Sequence, residues 1–409
     1  MEPIIHYKNA IYQRMRAKRI YLDHAAGTPL DAEVFSSMKK VFSAVHGNPS
    51  SIHADGVHAR TLIEEARKKI AETIQAQPDE VIFTSGGTEA NNLAILGVAH
   101  AARAARTGNH LIISSFEHHS IIGPARALES EGFEVTHINP NRHGIVDPRE
   151  IIDAIRPETI LVSIMYANNE IGTIQPIREI AKALRRVRAQ RTDASPLMHT
   201  DACQATGNLP LSVITLGIDL MTINAHKAYG PRGVGVLYAK RTVKLAPIVF
   251  GGGQERSFRS GTENSAAIIG FAAALAKAER MRVEETQRLT SLREYLWECI
   301  AKEIPHVDLN GDPVLRLPGN LNVSFLGIDS EQLVIELDAK GVSVSSGSAC
   351  TSSDLESSYV ILSLGKSADY ANSAVRFSLG RSTTKADIDA LMRFLPKITH
   401  KLRRFSAFA

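Results

Sequence analysis

An α/β fold on a largely parallel sheet, followed by a smaller α+β domain, is predicted by three features of this sequence. Between about residues 60 and 240, short β-branched runs alternate with stretches of helical periodicity. Most of the strand-length runs are separated by helical stretches, as crossover connections in a parallel sheet require. The chain has 409 residues, and single cores stop growing at about 250 to 300 residues, so a second, smaller domain is expected.

The elements follow in order. Leu62, Ala66, Ile70 and Thr73 or Ile74 mark one face of a helix. Strands are predicted at 81–84, 111–114, 134–138, 159–166, 197–201, 219–224 and 233–239, giving a mostly parallel seven-stranded sheet. Residues 266–304 read as a long helical region, Ala-rich first and then charged, which bridges to the second domain. Beyond it, 320–325, 331–338, 342–344, 374–379 and a helix from Lys385 describe the smaller α+β domain. The predicted division is an N-terminal segment 1–24, a large domain 25–270 and a small domain 271–409.

Composition narrows the function classes. A formal charge of +4 arises from 47 basic and 43 acidic residues spread along the chain, which argues against nucleic-acid binding. Three scattered cysteines, Cys203, Cys299 and Cys350, form neither a disulfide framework nor a CxxC metal knuckle. No apolar run approaches the ~18 residues of a membrane span, so a cytoplasmic protein in a reducing compartment is expected.

In open α/β sheets, ligands bind beyond the carboxyl ends of the strands. The first predicted strand runs into Ser85-Gly86-Gly87-Thr88-Glu89 and a helix, which offers bare N–H groups to an anion. The spacing is not that of a Walker loop. Gly230-Pro231-Arg232-Gly233-Val234-Gly235 is not GxGxxG and leads into a strand, which disfavours a nicotinamide enzyme. Other strands deliver Glu117-His118-His119, Asn168-Asn169-Glu170, Asp201-Ala202-Cys203-Gln204 and Asn224-Ala225-His226-Lys227. His199, Asp201 and Cys203 alternate and form the rival reading, a metal triad. Against it stand the lack of a fourth ligand and the expected strand end at Asp201. A lysine beside an anion site and a buried acid suits an aldehyde cofactor. Lys227 forms the imine, and a carboxylate keeps the pyridine nitrogen protonated as an electron sink.

These residues resemble the group I cysteine desulfurases of the NifS and IscS type, fold-type I pyridoxal-phosphate enzymes of the class V aminotransferase family. The resemblance runs from Tyr21 to Arg381 through TSGGTE at 84–89, NNEIG at 168–172, HKAYGP at 226–231, RSGT at 259–262, SSGSACTS at 345–352 and VRFSLGR at 375–381. It implies that pyridoxal 5'-phosphate is held on Lys227, with Asp201 on the pyridine nitrogen, His118 stacked on the ring and Gln204 facing the phenolic oxygen. Phosphate contacts would come from Gly87, Thr88 and His226, with Thr262 reaching across from the partner subunit of a homodimer. Asn168 and Arg376 would bind the substrate carboxylate, for which a planar guanidinium is suited.

Cys350 matches the nucleophile, and its Ser- and Gly-rich flanks offer no apolar packing, unlike Cys203 and Cys299, which read as small core residues. The implied reaction removes sulfur from L-cysteine, leaves a persulfide on Cys350 and releases L-alanine, with His118 as the base that aids the thiol. A sulfur-acceptor protein, such as an iron–sulfur scaffold, is the implied partner. Two departures matter: Asn224 stands where the family usually has a phosphate-binding Ser, and the sequence ends soon after Arg404 without the longer tail some relatives use for docking. An aminotransferase of the same fold would not need Cys350. A catalytically idle scaffold would not need Lys227 and Asp201.

Overall fold

The computed structural model describes residues 19–191, 195–347 and 357–404. Two compact units are present: one holds residues 27–169 and 173–283, the other residues up to 26, 170–172 and 284 onward. The division falls inside the helix Ser265–Glu303, which is continuous over 39 residues.

β1 (Ile20–Tyr21) belongs to the smaller unit. The larger unit carries β2 (Val81–Thr84), β3 (His110–Ser114), β4 (Glu134–Ile138), β5 (Thr159–Ser163), β6 (Leu197–Asp201), β7 (Leu220–Asn224) and β8 (Gly235–Ala239). They form one seven-stranded sheet in the order β2-β8-β7-β6-β5-β3-β4. β3 through β7 pair in parallel, whereas β8 runs antiparallel to both β7 and β2. β2, β3, β5, β7 and β8 are buried along their whole length. Strands covered on both faces read as continuous apolar runs rather than as alternation. The helix Gly87–Ala105 turns Ala90, Leu93, Ala94 and Val98 into the same core as Leu111, Ile113, Leu161 and Leu237. Each such Leu or Ile contributes about 1.5 to 3 kcal/mol by leaving water.

The strand predicted at 159–166 ends at Ser163. Beyond it the Met165 N–H goes to the Glu117 carboxyl instead of a strand neighbour. The strand predicted at 233–239 starts at Gly235.

In the smaller unit β9 (Val307–Leu309), β10 (Asn320–Phe325) and β12 (Ala374–Ser378) form an antiparallel sheet, while β11 (Val342–Ser343) pairs in parallel with β1. Its core gathers Leu22, Leu296, Ile300, Leu333 and Leu391, with Phe325 and Phe377 edge to face at 6.3 Å.

Candidate active site

At the end of β6, the Asp201 carboxylate is buried and held by two donors. The Cys203 backbone N–H reaches one oxygen at 2.9 Å and the Asn91 amide the other at 2.7 Å. Burial, together with the charge of Asp201, pushes the Cys203 thiol well above its ordinary range, and the charge of Lys227 acts in the opposite sense. Asp201, Cys203 and Lys227 are therefore electrostatic neighbours, although 26 positions of sequence separate the first from the last.

β7 delivers Asn224, and the turn after it carries His226 and Lys227. The turn is closed by Ala228 and Gly230 N–H bonds to the Ala225 carbonyl at 2.9 and 3.0 Å. Thr28 fastens it from outside: its hydroxyl donates to the His226 carbonyl at 2.9 Å and accepts the Tyr229 N–H at 2.7 Å. Tyr229 sits at φ 62°, in the left-handed region that a bulky L residue adopts only under constraint. Burial, then the charges of Lys227 and Arg232, pulls His226 down to about 4, so at neutral pH it offers a neutral ring.

β2 ends in the Gly-rich turn, and the helix Gly87–Ala105 starts there with no side-chain cap from Gly86, a helix start suited to an anion. Gly87 is buried, and a Cβ on it would lie 2.7 Å from the Cys203 sulfur and 3.3 Å from the Asn224 amide nitrogen. The anion turn, Asn224 and the Asp201 loop thus meet at one point that only glycine leaves open. The Asn224 side-chain oxygen is buried there with no partner among the described residues. Glu89 braces the turn, accepting the Ser85 N–H at 2.9 Å and the Arg259 guanidinium at 2.8 Å. Thr88 is exposed, as is Thr262, three residues beyond Arg259.

β3 leads to Glu117 and His118. The Glu117 carboxyl is fully buried and accepts the Ser114 hydroxyl at 2.5 Å and the Met165 N–H at 2.7 Å. Burial is the main cause that pushes it up to about 8, and the charge of Asp201 adds to it, against the pull of the two donors. His118 is half-buried and caps the helix His119–Ser130. Asn168 is buried, and its amide donates to the Phe116 carbonyl at 3.1 Å. Gln204 is half-buried, and its backbone carbonyl accepts the Asn208 side-chain amide at 3.1 Å.

The rival triad is dismantled by His199. Its Nδ1 and Nε2 lie 2.8 Å from the Ser163 hydroxyl and 3.1 Å from the Thr222 hydroxyl, and burial pulls it down to about 4. Two hydroxyl partners make it a satisfied core residue.

In the smaller unit Arg376 lies on β12, is buried, and donates to Asp23 at 2.9 Å. Glu170, also buried, accepts the Ser358 hydroxyl at 2.6 Å. Cys350 lies outside the described residues.

In the larger unit, Gly87, Asp201, Asn224 and Lys227 are brought to one place around Cys203. Sequence reasoning missed Asn91 and Ser120, and it placed Glu117 at a strand end without its burial. The available signal was a polar residue on an apolar helix face: Asn91 sits among Gly87, Ala90, Ala94 and Ile95, all buried.

A relative from Dictyoglomus turgidum, named cysteine desulfurase IscS, is 47% identical over 391 residues, covering 96% of this chain and 97% of its own. A solved NifS-like protein superposes with a TM-score of 0.87 at 31% identity, covering 94% of this chain and all of its own. A second solved structure, of SspA in complex with cysteine, has a TM-score of 0.76 at 32% identity, covering 88% of this chain and 99% of its own. Residues 20–391 match the aminotransferase class-V family, and with these likenesses spanning nearly the whole sequence, the chain belongs to that family.

Proposed function

We propose that the chain works as a pyridoxal-phosphate-dependent cysteine desulfurase, with the cofactor on Lys227 and the sulfur leaving on Cys350. The observation that carries this reading is the meeting of a lysine, a doubly braced carboxylate and an anion-binding helix start around Cys203. These residues fit the cofactor: Lys227 supplies the amine, Asp201 the partner for a protonated ring nitrogen, and Gly87, Thr88, His226 and the Asn224 amide the donors for a phosphate. Gln204 and His118 would be the residues that face the ring. When bound, pyridoxal phosphate supplies an electron sink for the carbanion left by loss of the substrate Cα proton.

The chain's own groups do the rest. Arg376 is the guanidinium suited to the substrate carboxylate, Asn168 is a substrate-binding amide of the larger unit, and His118 brings its imidazole to the reaction. The Cys350 thiolate attacks the sulfur of L-cysteine. A sulfur–sulfur bond forms, the substrate carbon–sulfur bond breaks, and L-alanine is released, leaving a persulfide on Cys350 for an acceptor protein, an iron–sulfur scaffold being one. The Cys203 thiol, held protonated by burial and Asp201, is a poor nucleophile and does not compete.

A homodimer completes the site through Thr262. Phe35 and Phe42 support this reading: seven residues apart on the helix Ala32–Ala44, they share a face and are 55% and 71% exposed. No helix among the described residues is long and apolar enough to cross a membrane, and we place the reaction in the cytoplasm.

The test is Cys350→Ser. This variant should keep the yellow cofactor band and bind L-cysteine, yet form no persulfide and release almost no alanine. Cys203→Ser should still carry persulfide on Cys350 by peptide mass. Wild-type desulfuration by Cys350→Ser would overturn the assignment.

A further inference from the structure

A chain of hydrogen bonds inside the larger unit links Asp201 to His118 through two residues that the reaction scheme above does not use. The Asn91 amide nitrogen donates to Asp201 Oδ2 at 2.7 Å and to the Ser120 hydroxyl oxygen at 2.8 Å. Ser120 Oγ lies 2.7 Å from His118 Nδ1, and the Ser120 backbone N–H also donates to that nitrogen at 3.1 Å. Asn91, Ser120 and Asp201 are all buried, at 1%, 6% and 7% exposure, so water does not compete for these bonds.

The donors of fixed direction, the Asn91 NH2 and the Ser120 backbone N–H, set the protons along this chain. A carboxylate only accepts, so Asn91 must turn its NH2 toward Asp201, and its own oxygen is left buried with no partner among the described residues. The second proton of that NH2 points at Ser120 Oγ. The backbone N–H of Ser120 occupies the lone pair of His118 Nδ1, so Nδ1 bears no proton. With Nδ1 unprotonated, the Ser120 hydroxyl, already accepting from Asn91, turns its proton to the same lone pair and shares it with the backbone N–H as a bifurcated bond.

We infer that Asn91 and Ser120 are positioning residues that hold His118 as its Nε2–H tautomer, with the orientation imposed from Asp201. His118 then meets the site with an N–H donor, not a lone pair. The base that the sequence suggested at this residue is not available at Nε2 in this arrangement. In this chain the imidazole steadies negative charge by donation, and the amine of Lys227 is left to take the substrate proton. Any part His118 plays in turnover rests on the proposed function, but its tautomer does not.

The experiment is a long-range nitrogen–proton NMR spectrum of 15N-histidine-labelled holoenzyme, with the His118 signals identified by their loss in His118→Gln. The wild type should show Nε2 protonated and Nδ1 as a hydrogen-bonded acceptor. Ser120→Ala removes the shorter of the two contacts at Nδ1 and leaves the backbone N–H, so it should shift the Nδ1 signal and loosen the ring, with kcat down about tenfold and KM changed less than about twofold. Ser120→Thr restores the hydroxyl and should restore both the spectrum and the rate. Asn91→Leu should alter the His118 signals without touching that residue; should this variant not fold, the Ser120 pair decides alone. A protonated Nδ1 in the wild type, or an identical His118 pattern in wild type and Ser120→Ala, overturns the inference. Full activity in His118→Gln would instead retire the catalytic part assigned to His118, with the tautomer still judged by the spectrum.

Discussion

Replacing Glu117 by Gln should make the protein more stable relative to wild type, by an amount that grows with pH. The carboxyl is fully buried and is pushed from 4.5 up to about 8, burial being the leading cause. Between those values the folded chain keeps a proton that the unfolded chain has lost. Stability therefore falls as pH rises through that window. The contribution is fully present below 4.5 and is lost as pH passes about 8. Gln mimics the protonated acid, because its side-chain oxygen can accept the same Ser114 hydroxyl and Met165 N–H. The expected slope of the difference is about 1.4 kcal/mol per pH unit, or about 3 kcal/mol over two units inside the window. Urea unfolding of both proteins, at fixed protein and cofactor concentrations and several pH values, measures it, and subtraction removes every other titrating group. A difference that is flat between about pH 5.5 and about 7.5, or that shrinks as pH rises, would refute the reasoning.

Three further outcomes are expected. Borohydride should fix the cofactor to the peptide bearing Lys227, and Lys227→Ala should retain none; attachment at Lys240 or Lys244 would place the site elsewhere. Gly87→Ala should weaken cofactor binding and cost about 1 to 3 kcal/mol of stability, because its Cβ would lie 2.7 Å from the Cys203 sulfur. Adding Cys203→Ala should recover part of the loss, and purely additive effects would show that the two positions do not meet. Mixing Thr262→Ala chains with Lys227→Ala chains should yield hybrid dimers in which one site carries both defects and the other neither, read as reshuffled cofactor affinity; a fully active monomer would end the shared-site reading.

The larger sheet was legible because most of its strands are short buried runs followed by polar residues, and Val81–Thr84, Glu134–Ile138 and Leu197–Asp201 were bounded to the residue. The reversed direction of β8 was not legible: a five-residue run, GVLYA, reads the same in either sense. β1 and β9, of two and three residues, carry no periodicity of their own and exist only through their partners. At the site, Lys227, Asp201 and Gly87 stood out because strand-end position and family motif agreed. Asn91 and Ser120 did not, since one amide and one hydroxyl inside helices look like ordinary surface polarity until tertiary packing buries them. Glu117 was visible as a residue, but its altered acidity arises from burial, which no local pattern records.

The reversed strand also sets a timetable for synthesis. β2 lies at the sheet edge and pairs only with β8, and Gly235 at the start of β8 packs within 2.6 Å of the Gly86 backbone, measured from the position of a missing Cβ. The anion turn at Gly86–Thr88 leaves the ribosome early, yet its strand has no neighbour until residues 235–239 emerge, about 150 positions later. By then Asp201, Asn224 and Lys227 have already been made. A nascent chain therefore cannot close the phosphate turn against its own sheet before the lysine is present, and a chain truncated before residue 235 would expose β2 as an unpaired edge open to aggregation.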